Sequence, residues 1–413
     1  MNILIISQYF WPESFIINNL AKDLLERGHS VTVLTGIPNY PEGRYFKGYG
    51  PFRNTKQEYC GIRIIRVPLV SRGGGGGIRL ALNYLSFALC ASILGPLLCR
   101  DKYDVIFVYE PSPITVALPA ICMKYAGSAP VALWVQDLWP ESISATEGLD
   151  SKWLIKTVGM VVKFIYKHCD LILVQSRAFI GSIVNMGIER EKIIYFPNSS
   201  ADPFQKNTAV KSSNLPKIPE GFRVMFAGNI GAAQDFATIL DAAEKLKDHT
   251  EIHWIIVGNG RLFPWVQSQV RQRGLSGTVH LMGRYPVEVM PQFFSLADSM
   301  LVTLKKSKIF SLTIPSKVQS YLAGGKPILA ALDGEGARVI NEAKAGLICP
   351  AEDSGALAQI VLEMSRMAES EREGMGISGR AYYEANFDQE MLLDRFEHLM
   401  NGRLSCAISN SKA

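Results

Sequence analysis

The stretch FAGNIGAAQDF over Phe226–Phe236 combines a strand end, two glycines and a helix start. The apolar run Arg223–Ala227 before it reads as a buried strand. Phe236, Ile239, Leu240, Ala243 and Leu246 after it repeat at helical spacing, with Asp235 placed to cap that helix. Gly228 and Gly231, flanked by Asn229 and Gln234, let backbone N–H groups approach an anion with no Cβ in the way. The helix start adds partial positive charge. That chemistry is a diphosphate cradle, although the same glycines suit an ordinary βα turn.

Three further segments of the second half fit an anionic, sugar-bearing ligand. Gly258-Asn259-Gly260-Arg261 ends a strand and opens a helix, offering backbone donors and a guanidinium. In Pro315-Ser316-Lys317, Ser316 suits an N-cap and Lys317 falls in the first helical turn, where a cation opposes the helix dipole. A residue type that disfavours its own helix points to an anionic partner, or to a side chain that turns into solvent. Glu335, in the loop after another strand, can accept hydrogen bonds from sugar hydroxyls, or simply favour a helix start.

The first half offers carboxylates and aromatics. Asp137 ends an apolar strand, and Glu141 follows in the same Asp-Leu-Trp-Pro-Glu-Ser loop. Two carboxylates in a ligand-facing loop suit proton transfer from a hydroxyl acceptor; they also suit capping of the next helix. The loops Gln8–Glu13 and Pro38–Pro41 present Tyr9, Glu13, Asn39 and Tyr40 at other strand ends, where α/β sheets bind ligands.

The elements that must position these residues alternate. Apolar strands are predicted at Asn2–Ser7, Val31–Thr35, Ile62–Val67, Asp104–Tyr109, Val131–Gln136, Leu171–Gln175 and Ile193–Phe196. After a Ser, Asn and Pro-rich stretch the pattern restarts at Arg223–Ala227, Ile252–Val257, Val279–Met282, Ser299–Leu304, Pro327–Leu332 and Leu347–Cys349. The expectation is an α/β chain with a first domain over residues 1–198 and a linker over 199–221. A second domain over 222–385 follows, then a final helix and loose polar tail over 386–413. A cleft between two such halves is a usual ligand site.

With 413 residues, 48% hydrophobic and 20% charged, the chain is folded and rather apolar. The net charge of +5 suits an anionic nucleotide or a membrane surface, and no basic block marks a nucleic-acid arm. The 7 cysteines show no CxxC and the 6 histidines no metal-binding pair, so neither disulfides nor a metal site is expected. No basic leader precedes an apolar run at the start, which argues for a cytoplasmic setting. Leu80–Cys99 carries no charge between Arg79 and Arg100, and is expected to be a helix partly buried and partly exposed to lipid, or equally a wholly buried domain helix. Lys152, Lys156, Lys163 and Lys167 share one helical face with Trp153 close by, the pattern of a basic interfacial helix or of a solvated lysine face.

The segments ILIISQYFWPE, ERGHSVTVLTGIPNYPEG, VQDLWPES, YFPN, FAGNIGAAQDF, IIVGNG, PSKVQSYLAGGKP and EGARVINEAKAGL, spread from Met1 to about Met400, resemble glycosyltransferase family 4. Within it they are most similar to the WbuB-type L-fucosamine transferases of bacterial O-antigen and capsule assembly. The resemblance implies a GT-B fold, two Rossmann-like domains facing across a cleft, with the C-terminal helix returning toward the first. It implies retaining, metal-independent transfer with no cofactor. The sugar, with L-FucNAc the best choice, would move from a UDP-linked donor to a polyprenyl-diphosphate-linked saccharide at the inner face of the cytoplasmic membrane. On this basis the donor residues are Gly228, Asn229, Gly231, Gln234, Gly258, Arg261, Ser316, Lys317, Ser320 and Glu335. Asp137 and Glu141 are the catalytic pair, and Tyr9, Glu13, Asn39 and Tyr40 take the acceptor.

The chain departs from the family pattern. The usual donor-side Arg and Lys fall at Asn229 and Gln234, and the usual Glu pair at Leu312 and Ser320. Lys317 and Arg261 are the nearest substitute cations. Two alternatives remain: a sugar-nucleotide epimerase of the same shape, and a non-catalytic partner that binds a UDP-sugar or a lipid-linked sugar.

Overall fold

A computed structural model describes residues 1–74, 77–127, 129–144, 152–199 and 215–410. The chain divides into two compact units, Met1–Phe196 with Leu393–Ala413, and Pro197–Leu392. Residues 200–214, most of the expected linker, lie outside the described residues.

The first unit holds β1 (Asn2–Ile6), β2 (Ser30–Gly36), β3 (Lys56–Tyr59), β4 (Ile62–Val67), β5 (Val105–Glu110), β6 (Val131–Val135), β7 (Leu171–Val174) and β8 (Ile193–Tyr195). Their order is β3-β4-β2-β1-β5-β6-β7-β8. All neighbours are parallel except β3 and β4. Every residue of β5 and β6 is buried, which is why these strands are apolar runs without alternation. β3 was not expected: its sequence, Lys-Gln-Glu-Tyr, lies at the sheet edge with no residue buried, so it carries no apolar signal.

The second unit holds β9 (Phe222–Ala227), β10 (Ile252–Val257), β11 (Val279–Gly283), β12 (Ser299–Thr303), β13 (Ile328–Ala331) and β14 (Gly346–Cys349). The order is β11-β10-β9-β12-β13-β14, and every pair is parallel. Its core packs Phe226, Phe236, Trp254 and Val361, with the Phe226 and Phe236 rings edge to face at 4.9 Å. In both units the strand sequence runs outward in two directions from a central pair, β1 and β5 or β9 and β12. Ligands of such sheets bind at the carboxyl ends beside that switch point. The fold is two Rossmann-like α/β domains of the GT-B class, as the sequence predicted.

Two helices of the first unit show apolar side chains to solvent. Gly77–Leu98 buries Asn83, Phe87, Ala88, Ala91 and Gly95, and exposes Leu82, Leu85, Leu89 and Ile93 along the other side. Lys152–His168 buries Val162, Ile165 and Tyr166 while Trp153, Met160 and Phe164 are exposed together with Lys156, Lys163 and Lys167. The Lys152 side chain lies outside the described residues.

The expectation of a loose tail beyond Asn401 is corrected: the last helix runs Gln389–Asn410. Its Phe396 is fully buried in the first unit, edge-on to Phe107 at 5.0 Å. Arg27 pairs with Asp394 at 2.6 Å, and His29 Nε2 meets Glu397 at 2.8 Å. Removing a buried Phe side chain costs about 3–5 kcal/mol. Phe396→Ala should therefore lower the first unit's calorimetric transition and leave the second unit's in place; an unshifted first transition would show that this helix is not part of that core.

Candidate active site

In the second unit the loops after β9 and β10 pack backbone to backbone. Gly228 has φ +139° and Gly258 φ +150°, conformations that glycine alone takes without strain. A Cβ on Gly258 would lie 1.9 Å from the Gly228 carbonyl oxygen, and one on Gly260 2.4 Å from that of Ile230. These glycines line a pocket of about 560 Å³ with Asn229, Asn259, Arg284, Tyr285 and Met290. Arg284, Tyr285 and Met290 were missed from the sequence. They follow β11 with no glycine motif, and an Arg-Tyr pair at a strand end was the only signal.

Lys317 lies directly under the Gly228 loop, where a Cβ on Gly228 would come 2.6 Å from Lys317 Cε. Its ammonium sits 4.2 Å from the centre of the Phe226 ring and donates to Gln234 Oε1. Among the described residues no carboxylate pairs with it, and burial alone draws its pKa down to about 7. The helix that carries it, Ser316–Ala323, is fixed to β9 by Tyr321. The Tyr321 hydroxyl accepts from the Ala227 N–H at 3.0 Å and donates to the Ala227 carbonyl at 3.2 Å. Lys317 is therefore a fixed amine whose charge is disfavoured until an anion meets it, one loop away from a glycine-lined pocket.

The other donor candidates separate. Asn229 and Gly258 share the pocket with Gly228, and Gln234 meets Lys317. Gly231 is extended, at φ −115°, and its lack of a Cβ makes room for Asn229 Nδ2, 2.7 Å from where that atom would be. Asp235 does take the N-cap position of Phe236–Lys245, but in the left-handed region at φ +45°, with no side-chain cap bond and Oδ2 buried without a partner. Ser316 is the first helical residue and not the cap, which is Pro315. Ser320 Oγ donates to the Ser316 carbonyl at 3.1 Å. Arg261 is exposed. Glu335 is buried and held by both Nε and Nη2 of Arg338 at 2.9 Å each, so its carboxylate is engaged inside its own helix.

In the first unit, Asp137 follows β6 and is half-buried, and burial raises its carboxyl to about 6. A carboxyl in that range can both take and return a proton near neutral pH. Its backbone N–H donates to Glu110 Oε2 at 3.4 Å. Glu110, the last residue of β5, is fully buried with Oε1 unpartnered, and burial followed by the Asp137 charge pushes it well above the carboxylate range. Sequence reasoning missed Glu110; a carboxylate closing an otherwise apolar strand was the available signal. Glu141 is the first residue of the short helix Glu141–Ser144 and not its cap, with Oε2 buried and without a partner among the described residues.

Of the four acceptor candidates, Tyr40 is the one that reaches the surface, at 39% exposure. Glu13 is buried and accepts the backbone N–H groups of Asn39 and Tyr40, both at 2.7 Å, while burial raises its carboxyl to about 7. Asn39 is fully buried, bonding the Ile37 carbonyl at 2.9 Å and the Arg72 N–H at 3.1 Å. Glu13 and Asn39 thus support the loop. Tyr9 stacks on Phe15 at 5.1 Å, with Tyr40 tilted against both rings.

Two Rossmann-like domains, one with a glycine-lined pocket beside a lysine that pairs with no carboxylate among the described residues, define the GT-B class. The comparisons agree. Residues 221–366 match the family described as "Glycosyl transferases group 1", and residues 15–199 match the "Glycosyl transferase 4-like domain". The chain is a group 1 glycosyltransferase with a family 4-like first domain. It is 25% identical over 350 residues to the putative colanic acid biosynthesis glycosyl transferase WcaI of Escherichia coli (strain K12), covering 80% of this chain and 83% of that protein. It is 25% identical over 312 residues to the probable glycosyltransferase WbjE of Pseudomonas aeruginosa, covering 74% and 76%. Among solved structures, Anabaena HepE in complex with UDP has a TM-score of 0.70 at 15% identity, covering 97% of this chain and 100% of that one.

A charged hydrogen bond contributes on the order of 1.5–3 kcal/mol, and ~1.4 kcal/mol is tenfold in affinity. Lys317→Ala should weaken UDP binding by roughly ten- to a hundred-fold in calorimetry; unchanged affinity would remove Lys317 from the diphosphate site.

Proposed function

We propose that this enzyme moves a sugar, with retention, from a UDP-linked donor to a polyprenyl-diphosphate-linked saccharide in bacterial surface-polysaccharide assembly. L-FucNAc is the favoured sugar, on the motif resemblance to the WbuB-type branch. The surface-polysaccharide setting is supported by the colanic acid relative. UDP as the nucleotide is supported by the bound ligand of the HepE structure.

The observation that carries the proposal is Lys317. In the reaction the bond from the anomeric carbon to the donor's β-phosphate oxygen breaks, and the acceptor oxygen bonds to that carbon. Negative charge grows on the leaving diphosphate. Lys317 would meet that charge without a metal; the N–H groups of Gly228, Ile230 and Gly258 are already given to backbone carbonyls. The acceptor proton passes to Asp137, whose raised pKa suits it to take a proton near neutral pH, or to the departing phosphate oxygen.

The enzyme works as a peripheral protein on the inner face of the cytoplasmic membrane. Exposed Trp153, Met160 and Phe164 among Lys156, Lys163 and Lys167 make a surface that can dip apolar groups between anionic headgroups. Changing the three exposed lysines to Gln should release the protein from anionic vesicles, at about 1 kcal/mol per lysine. Vesicle binding that persists unchanged would leave them a solvated face.

A panel of UDP-sugars with a lipid-linked acceptor and a chelator, read by mass spectrometry, tests the reaction. Extension of the lipid is expected. Interconversion of the UDP-sugars would indicate an epimerase, and binding without turnover a non-catalytic partner. In the same assay Asp137→Asn should lower kcat by roughly 10²–10⁴-fold with UDP affinity intact, the usual range for lost proton transfer. A near-normal kcat would assign the proton to the diphosphate.

A further inference from the structure

Arg72 plays no part in the site described so far, yet its surroundings are built. The loop that carries it is tied down along its length. Tyr45 donates its hydroxyl to the Leu69 carbonyl at 2.5 Å, and Asn83 Nδ2 donates to the Val70 carbonyl at 2.6 Å. The Arg72 N–H bonds Asn39 Oδ1 at 3.1 Å, and the Gly73 N–H bonds the Gly43 carbonyl at 2.8 Å. The guanidinium lies over two aromatic rings, 5.0 Å from the centre of Tyr40 and 5.8 Å from that of Tyr9. Its Nη1 donates to the Tyr9 hydroxyl at 3.1 Å. Among the described residues no carboxylate pairs with it. A guanidinium has five N–H donors in a planar fork that matches phosphate oxygens, and this one is half-buried, held in place and largely unused.

What flanks Arg72 defines the rest of the ligand. The same loop is bonded to the helix Gly77–Leu98, whose Leu82, Leu85 and Leu89 are 50%, 58% and 62% exposed in an uncharged stripe. Tyr84 of that helix is half-buried and hydrogen-bonded to Tyr9 and Ser112, and the charges of Arg72 and Asp137 both act on it. Apolar stripe, cation, tyrosine and carboxyl therefore belong to one unit, with the Tyr9 hydroxyl linking Arg72 to Tyr84.

We propose that Arg72 binds the diphosphate of the lipid-linked acceptor, with the prenyl chain along Leu82, Leu85 and Leu89 and the saccharide passing Tyr40 and Tyr84 toward Asp137. This rests on the acceptor class proposed above and assigns the atoms that recognise it. The pinned loop holds the fork in its binding geometry before the ligand arrives, so little ordering cost remains. With Nη1 on the Tyr9 hydroxyl, the other N–H groups of the fork are the ones that would take phosphate.

The test uses the full chain with UDP saturating the second unit's pocket, so that added diphosphate does not enter it. Geranyl diphosphate, inorganic pyrophosphate and geraniol are the probes, read by calorimetry. The wild type should bind geranyl diphosphate at least tenfold more tightly than geraniol. Arg72→Gln should lose at least tenfold for geranyl diphosphate, and Arg72→Lys should recover part of it. Leu82→Asn with Leu85→Asn should weaken geranyl diphosphate and leave pyrophosphate unchanged. Unchanged UDP affinity and circular dichroism report that each variant is folded. Full affinity in Arg72→Gln, or equal binding of geraniol and geranyl diphosphate by the wild type, overturns the proposal; the second comparison needs no variant at all. Sugar transfer by a wild type that shows no diphosphate preference would sink this site and leave the transferase standing. Arg72-dependent binding in a protein that transfers no sugar would do the reverse.

Discussion

A half-buried lysine with no carboxylate partner among the described residues is the constraint around which the second domain's candidate site is arranged. Lys317 opposes the dipole of its own helix and loses hydration without gaining a carboxylate. Several residues exist to hold it there: Tyr321 ties its helix to β9, Phe226 offers a ring face, and Gln234 accepts one of its protons. The glycines answer to the backbone. Gly228 at φ +139° takes a conformation that only glycine takes without strain, and Gly258 at φ +150° leaves no room for a Cβ against the Gly228 carbonyl. The phosphate-site look of the loop is thus partly a requirement of its own backbone packing.

The first domain solves the opposite problem, placing carboxyls in low dielectric. Glu13, Glu110 and Asp137 stand beyond or at the ends of β1, β5 and β6, and burial raises all three. They differ in what compensates them. Glu13 accepts two backbone N–H groups and so shapes the Tyr40 loop. Glu110 has little beyond the Asp137 N–H, and its unprotonated form would repel Asp137. Asp137 is the one of the three that is not fully enclosed, which leaves it able to exchange its proton with a bound hydroxyl.

Much of this was legible in the sequence, for a physical reason. Most of the parallel strands are buried on both faces and read as apolar runs, so thirteen strands could be placed from the apolar pattern, and β3, polar and at an edge, could not. Lys317 stood out because it broke a local rule, and broken rules collect at functional sites. Tertiary placement was not legible. Asn39 looked like a ligand residue but lies fully buried as a brace for Arg72. Glu335 looked free, but Arg338, one helical turn on, engages it. Arg72 and Arg284 belong to no motif, and their importance lies wholly in what the fold brings beside them.

The central claim is that Lys317 supplies the positive charge that meets the donor diphosphate. With a pKa near 7 in the free protein, Lys317 is mostly neutral at pH 8 and becomes charged when an anion binds against it. UDP binding at pH 8, followed by calorimetry in buffers of different ionisation enthalpy, measures the protons taken up. The account predicts uptake approaching one proton in the wild type and its loss in Lys317→Met, with affinity that weakens as pH rises from 7 to 9. Binding without proton uptake and with pH-independent affinity over that range would contradict it.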